Sequence, residues 1–225
     1  MNKKYYAVIV AGGTGARMGG DVAKQFLTLG DKPIILHSIE AFLRLSFPVE
    51  IILVVPTDYR QYWKDYCLEN HITFSHILVS GGITRFHSVK NALKYIPKGA
   101  LVAIHDGVRP FISSDFVESL FVIAEEKGAV APVVNVIDSM RKRVTDGRSV
   151  YVKREEFVLV QTPQVFHSDI ILDAYNQAYS PGFTDDASVV ESVGKEVYLT
   201  EGNSCNIKIT KPEDLVLARA ILSVF

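Results

Sequence analysis

The stretch Tyr5-Tyr6-Ala7-Val8-Ile9-Val10-Ala11-Gly12-Gly13-Thr14-Gly15-Ala16-Arg17-Met18 opens as an apolar run and breaks into a Gly-rich turn, with Lys24-Gln25 shortly after. An apolar run of this length, closed by glycines, reads as a buried strand. Glycines carry no Cβ and accept φ > 0, so consecutive N–H groups can converge on an anion while Arg17 and Lys24 supply countercharge. The leading reading is a turn that binds a nucleoside triphosphate. It has neither the Gly-Lys-Ser/Thr of a P-loop nor the Gly-x-Gly-x-x-Gly spacing of a dinucleotide fold. A plain strand-to-helix turn is the alternative, since Gly-rich turns after strands are common.

The rest of the chain repeats the strand-then-helix rhythm. Leu36–Leu45 has apolar residues at helical spacing, and Val49–Val55 is a β-branched run closed by Pro56, as in a strand buried on both faces. Residues 58–69 read as a helix, Ile77-Leu78-Val79 as a strand ending at Ser80-Gly81-Gly82, Ser88 to Tyr95 as the next helix, and Leu101–Ile104 as a further buried strand. Phe116–Glu126 reads as a helix capped by Ser114 or Asp115, and Ala129–Val136 as a strand. This order predicts a mostly parallel sheet with helices on both faces, an α/β fold. The rhythm then changes. Asp138–Val144, a Thr145-Asp146-Gly147 turn and Ser149–Arg154 read as a cation-rich hairpin. A polar two-stranded ribbon does not stabilise itself, which points to a second subunit as its support. Beyond it, Ile170–Tyr179 reads as a helix, Thr184-Asp185-Asp186-Ala187 as a capped helix start, Val197-Tyr198-Leu199 as a strand, and Lys211-Pro212-Glu213-Asp214 as the start of a terminal helix through Leu222.

The 225 residues are 48% hydrophobic and 22% charged, enough for one domain with its own core. A net charge of −1 argues against a general nucleic-acid or anionic-membrane partner, and no run of about 18 apolar residues occurs. Cys67 and Cys205 lie far apart, form no Cys-x-x-Cys pair, and read as buried small hydrophobes in a reducing, cytoplasmic setting.

His105-Asp106-Gly107-Val108-Arg109-Pro110 follows a buried strand, where open α/β sheets hold their ligands. An Asp–Arg pair that only fixes the loop is the alternative. Of the six histidines, only His105 adjoins this point, and it reads as structural. There is no Ser-His-Asp order, no Glu pair for glycoside work and no His-rich metal motif. Arg17, Lys24, Arg109, Arg154 and Lys208 with Asp106 suit phosphoryl chemistry, which needs positioning and charge stabilisation, usually with Mg²⁺, and Asp106 is the candidate metal ligand.

Five motifs in register carry a family resemblance over nearly the whole chain: Ala11–Met18 with Lys24-Gln25, His105–Pro110, Gln161-Thr162-Pro163-Gln164, Thr184–Ala187 and Asn206–Asp214. Together they resemble the 2-C-methyl-D-erythritol 4-phosphate cytidylyltransferases. The resemblance implies a Rossmann-like nucleotidyltransferase fold in one domain over 1–225. It also implies a dimerisation β-arm at about 137–160 that reaches into the partner's site of a homodimer. The implied reaction joins CTP and methylerythritol phosphate to give CDP-methylerythritol and pyrophosphate, in the non-mevalonate isoprenoid route. By the same resemblance, Arg17 and Lys24 stabilise the triphosphate. Ala11, Gly12, Gly13, Gly15 and Gly82 cradle CTP, and Ser88 lies near the cytosine. Asp106 serves the ribose or Mg²⁺, while Arg154 of the neighbouring arm and Lys208 hold the sugar phosphate, with Ser139, Arg109 and Thr162 around it.

Two positions depart from the family pattern. Ser139 stands where Thr is usual, and Cys205 where an acid is frequent, which weakens a metal role for residue 205. Ribitol-5-phosphate cytidylyltransferase resembles the chain in the same loops, but it usually lacks a basic run like Met140-Arg141-Lys142. A nicotinamide-dependent oxidoreductase would fit the βα rhythm but not the glycine spacing. A silent nucleotide-binding regulator would not need Arg17, Lys24 and Asp106 together.

Overall fold

A computed structural model describes residues 4–13 and 23–224. The chain runs β1 (Tyr5–Val10), β2 (Thr28–Leu29), β3 (Lys32–Pro33), α1 (Ile34–Leu43), β4 (Glu50–Val55), α2 (Arg60–Glu69), β5 (His76–Ser80), α3 (Arg85–Leu93), β6 (Leu101–Asp106), α4 (Ser114–Lys127) and β7 (Ala129–Asn135). It continues through β8 (Arg141–Arg143), β9 (Ser149–Tyr151), β10 (Val158–Val160), β11 (Gln164–His167), α5 (Ser168–Ala174), α6 (Asp186–Glu191), β12 (Tyr198–Glu201) and α7 (Pro212–Leu222). The main sheet is ordered β10-β7-β11-β6-β1-β4-β5, with β12 on β7. Pairings β6-β1, β1-β4, β4-β5 and β12-β7 are parallel, and β10 and β11 run antiparallel to their neighbours. Among the described residues no helix is long and apolar enough to cross a membrane.

Alternation along each central strand divides the core in two. Ala7, Ile9, Ile51, Leu53, Leu101 and Ala103 face α1, α2 and α4, where Phe42, Trp63 and Phe121 are buried. Tyr6, Val8, Ile52, Val54, Val102 and Ile104 face α3, α5 and α6. Strands apolar at every position therefore have both faces covered, as the continuous runs in the sequence predict. A third, smaller cluster joins Leu29, Ile34, Val108, Phe111, Ile209 and Ala218 under α7.

Several boundaries differ from the sequence expectation. Helix α3 begins at Arg85 rather than Ser88, because Thr84 takes the N-cap position and its side chain accepts from His87 N. The cap of α4 is Ser113, whose hydroxyl accepts from Phe116 N, so Ser114 and Asp115 are already helical. Helix α5 stops at Ala174 rather than Tyr179, and Gln177 Nε2 donates to the Ala174 carbonyl at 2.6 Å, satisfying a terminal acceptor. The late strand starts at Tyr198 and runs to Glu201.

The return from the hairpin is an interrupted strand that the sequence reading did not resolve. Val160 lies opposite Val133 and Val165 opposite Val130, so five residues advance on one strand against three on β7. Two residues are therefore extruded between β10 and β11, and Thr162 lies in that break. The hairpin itself forms as expected. Strands β8 and β9 pair with each other, Arg148 N donates to Thr145 O at 3.3 Å, and Asp146 and Gly147 have φ of 59° and 73°. Positive φ at both central positions is what an Asp-Gly hairpin turn requires.

Candidate active site

Three glycine turns leave the sheet at one level. Ala11 N donates to Val54 O, Gly81 N to Val55 O and Gly107 N to Val10 O, each within 2.9 Å. The carboxyl ends of β1, β5 and β6 thus open together, as ligand-binding α/β sheets do. A Cβ on Gly12 would stand 2.9 Å from Ser88 Oγ, and one on Gly82 would stand 2.4 Å from His87 Cβ. Neither glycine is in the left-handed region. What these positions demand is close approach of the β1 and β5 turns to the start of α3, so of the two glycine properties it is the missing Cβ, not the tolerance of positive φ, that matters here. Ser88 is buried, and its hydroxyl accepts from Gly82 N and donates to Thr84 O, both at 3.0 Å. Gln25, 1% exposed, donates through Nε2 to Ala11 O at 2.7 Å and Gly13 O at 3.1 Å. It ties the start of the Gly-rich segment to the residues that follow it. Thr14 to Val22, including Gly15 and Arg17, lie outside the described residues.

Two cavities meet at this edge. One, of about 300 Å³, is bordered by Ala11, Gly12, Gly13, Lys24, Gly82, Ser88, Arg85, Asp106 and Lys208. The other, of about 220 Å³, is bordered by Arg109, Thr162, Gln164, Thr184, Asp185 and again Arg85, Asp106 and Lys208. The last three residues form the wall between them.

That wall is an ion network. Asp106 Oδ1 accepts from Arg85 Nε at 3.1 Å, and Oδ2 lies 2.8 Å from Lys208 Nζ and 3.6 Å from Arg109 Nε. Burial alone would raise the Asp106 pKa, but Arg85, Lys208 and Arg109 hold the carboxyl far below the usual carboxylate range. Arg85 also makes a bidentate pair with Asp186, at 2.9 and 2.7 Å, and Tyr175 donates its hydroxyl to Asp186 Oδ1 at 2.6 Å. Burial would lower the Arg85 pKa, yet the two carboxylates raise it well above normal. Arg109 is lowered by burial despite Asp106, and it donates Nη1 to Asn206 O at 2.7 Å. Lys208 sits between Ile207 and Ile209, which both pack into the cluster under α7, so alternation turns the lysine towards the wall.

His105 is fully buried on the opposite face of β6. Its Nε2 is 3.0 Å from Arg109 O, an acceptor only, so Nε2 is assigned the proton and Nδ1 accepts from the Thr162 hydroxyl at 3.1 Å. Thr162 Oγ1 in turn accepts from Asp106 N at 3.0 Å. Burial lowers the His105 pKa to about 4, so the ring is neutral near pH 7. The ring is a strut between Thr162 and Arg109.

The described candidates fall into two groups. Ala11, Gly12, Gly13, Lys24, Gly82, Ser88, Asp106, Arg109, Thr162 and Lys208 border the two cavities. Arg154 and Ser139 do not, being exposed on the arm, where Arg154 donates to Ile137 O and pairs with Glu155 at 3.1 Å. Arg85, Gln25, Gln164, Thr184 and Asp186 were not singled out as site residues. Arg85 lies three residues before the helix start read from the sequence, so no local signal marked it. The cysteines are a correction, since Cys67 and Cys205 are both only half-buried and carry free thiols. Among the described residues there is no group of three or more His, Cys, Asp or Glu that could hold a metal ion.

Residues 5–224 match the family model described as 2-C-methyl-D-erythritol 4-phosphate cytidylyltransferase (IspD). A Bacteroides thetaiotaomicron protein of that name is 48% identical over 219 residues, covering 97% of this chain and 100% of that one. The crystal structure of 4-diphosphocytidyl-2C-methyl-D-erythritol synthase from Anaerococcus prevotii superposes with a TM-score of 0.84 at 28% identity, covering 98% of this chain and 96% of that chain. A Thermus thermophilus cytidylyltransferase structure gives 0.79 at 30% identity, covering 99% and 100%. The mostly parallel sheet, the glycine turns at one edge and a match spanning almost every residue agree, and the chain belongs to the 2-C-methyl-D-erythritol 4-phosphate cytidylyltransferase family.

Proposed function

We infer that this enzyme transfers the cytidylyl group of CTP to 2-C-methyl-D-erythritol 4-phosphate, forming CDP-methylerythritol and releasing pyrophosphate in the non-mevalonate route to isoprenoids. The observation that carries the reading at the site is the shared wall. Two substrates seated in the adjoining cavities would meet at Arg85, Asp106 and Lys208.

In this reading the cavity beside Ala11, Gly12, Gly13, Gly82 and Ser88 takes CTP. Lys24, and by the resemblance Arg17, stabilise charge on the triphosphate as its α-phosphorus is attacked. Lys208, Arg109 and Thr162 surround the acceptor phosphate on the other side of the wall. No general base is needed, because the attacking phosphate oxygen is already anionic. His105 fits that absence of proton transfer, being neutral and committed to Thr162 and Arg109. The protein's contribution is to hold two polyanions in line against their repulsion. Asp106 is the residue that would hold Mg²⁺, and it would do so through Oδ2 once Lys208 turns to a phosphate, since Oδ1 is taken by Arg85. When bound, the ion neutralises triphosphate charge.

The chain acts as one catalytic domain whose arm, at about 137–160, completes a second copy. The support is the arm's exposure, with Ile137 84% and Tyr151 70% accessible, apolar surface that a partner would cover. Arg154 and Ser139 then serve the acceptor in the neighbouring subunit. A cytoplasmic location goes with the free thiols of Cys67 and Cys205. The test is pyrophosphate release with CTP and Mg²⁺, offering methylerythritol 4-phosphate and ribitol 5-phosphate in parallel. Release with the former alone is expected, and release with the latter alone would move the enzyme to the ribitol reaction.

A further inference from the structure

We propose that Arg85 is a positioning residue for this reaction, anchored by Asp186 and Tyr175 so that it fixes one oxygen of Asp106 and leaves the other to exchange partners. The inference rests on the cytidylyl-transfer reading and adds to it a residue that touches no reacting atom.

Arg85 opens α3 and Asp186 opens α6, two helices on the same face of the sheet. The Asp186 carboxylate favours the N-terminal end of its own helix, whereas the guanidinium is disfavoured at that of α3. Arg85 is therefore held by acids rather than by its helix. Two of its nitrogens are spent on Asp186, whose side chain is fully buried and which also accepts from Tyr175. Only Nε remains for Asp106, and it takes Oδ1. With its charge shared between two carboxylates, Arg85 is a poor phosphate ligand despite bordering both cavities. Oδ2 faces Lys208 at 2.8 Å, whose side chain is 39% exposed and able to move to a substrate phosphate, and lies farther, 3.6 Å, from Arg109 Nε. The division of labour follows: a clamped Oδ1 keeps the carboxylate from rotating when Lys208 leaves Oδ2.

The experiment is a double-mutant cycle of Arg85→Met and Asp106→Asn, read as kcat/KM for pyrophosphate release below the melting temperature of the least stable variant. If Arg85 acts through Asp106, Arg85→Met lowers kcat/KM by roughly ten- to a hundredfold in the wild-type background and by less than about threefold when Asp106 is already Asn. Equal losses in both backgrounds overturn the proposal, because a merely structural role acts independently of residue 106. Should Arg85→Met not fold, the same cycle is run with Arg85→Lys, whose single ammonium cannot bridge both carboxylates in the guanidinium's geometry. The wild-type assay separates the two levels. An inactive wild type defeats the cytidylyl-transfer reading, whereas an active wild type with an additive cycle defeats only the Arg85 inference.

Discussion

The ammonium of Lys208 lies 2.8 Å from Oδ2 of Asp106, and both groups border each of the two cavities. The pair is an ion bridge at rest and a reserve of positive charge for an incoming phosphate. Lys208→Ala is expected to lower kcat/KM by roughly 10²–10³-fold, the usual cost of removing one charge-stabilising donor. Folding stability should change by less than about 1 kcal/mol, because the lysine is well exposed and Arg85 and Arg109 still compensate Asp106. Steady-state pyrophosphate release and a thermal melt check both halves. A large melt shift with intact turnover would make Lys208 structural.

Gln25 borders the larger of the two cavities and supports the backbone there. Its buried amide serves two backbone carbonyls, so Gln25→Met should cost about 1–3 kcal/mol in urea unfolding and raise the KM for CTP. Gln25→Glu should be worse near pH 7, where a carboxylate faces two carbonyl oxygens. Its deficit should shrink as the pH falls and the carboxyl regains a proton to donate.

The glycine turns give a ranked prediction for stability on substitution by Ala. Gly82→Ala should be the most damaging, with a Cβ 2.4 Å from that of His87, followed by Gly12→Ala at 2.9 Å from Ser88 Oγ. Gly13→Ala has no atom within 4 Å of the new carbon and should fold normally. Adding Ser88→Ala to Gly12→Ala should recover part of the stability lost, as the clashing oxygen is removed. Melting temperatures of the four variants settle the order.

His105 sets a pH dependence of stability. Its folded pKa, about 4 against an ordinary 6.5, means that between these values the unfolded chain binds a proton that the folded chain does not. Stability is therefore full above pH 6.5 and falls as the pH drops towards 4, by roughly 2–3 kcal/mol. Asp106, depressed below 3.8, adds its own loss only in more acid solution. Urea midpoints of wild type and His105→Gln from pH 4 to 7 test this, the variant showing the flatter slope. An equal slope would assign the effect elsewhere.

Arg154→Ala should raise the KM for the acceptor much more than that for CTP, and mixing Arg154→Ala with Lys24→Ala subunits should restore some activity. Complementation needs sites built from two chains. Equal losses for both substrates, or inactive mixtures, would remove the arm from the acceptor site.

The central strands, their covered faces, the Asp-Gly turn, the capped start of α6 and the terminal helix opened by Pro212 were all legible in the sequence. So was the grouping of Asp106 with Lys208 and the glycines Gly12 and Gly13, from the match of cations to phosphoryl chemistry, although the same grouping also included Arg154, which does not border the cavities. These features depend on local chemistry: hydrophobic period, side-chain branching and backbone freedom act over a few residues. Less local were the boundaries that rest on a single cap. Thr84 and Ser113 each move a helix start, and several hydroxyls nearby could serve.

What only the tertiary structure decided is who meets whom. Arg85 and Asp186 lie in different helices and become partners because α3 and α6 share one face of the sheet. Thr162 reaches His105 and Asp106 because a strand pairs antiparallel with β6 and extrudes two residues beside it. Gly12 is fixed by the nearness of Ser88 and Gly81, not by its own φ. The sequence by itself determined the strands, the turns and the charges available, since those follow from residue type and spacing. Which carboxylate neutralises which cation was decided by the packing of the sheet's two faces, because Coulomb and contact energies depend on distance in space and not along the chain.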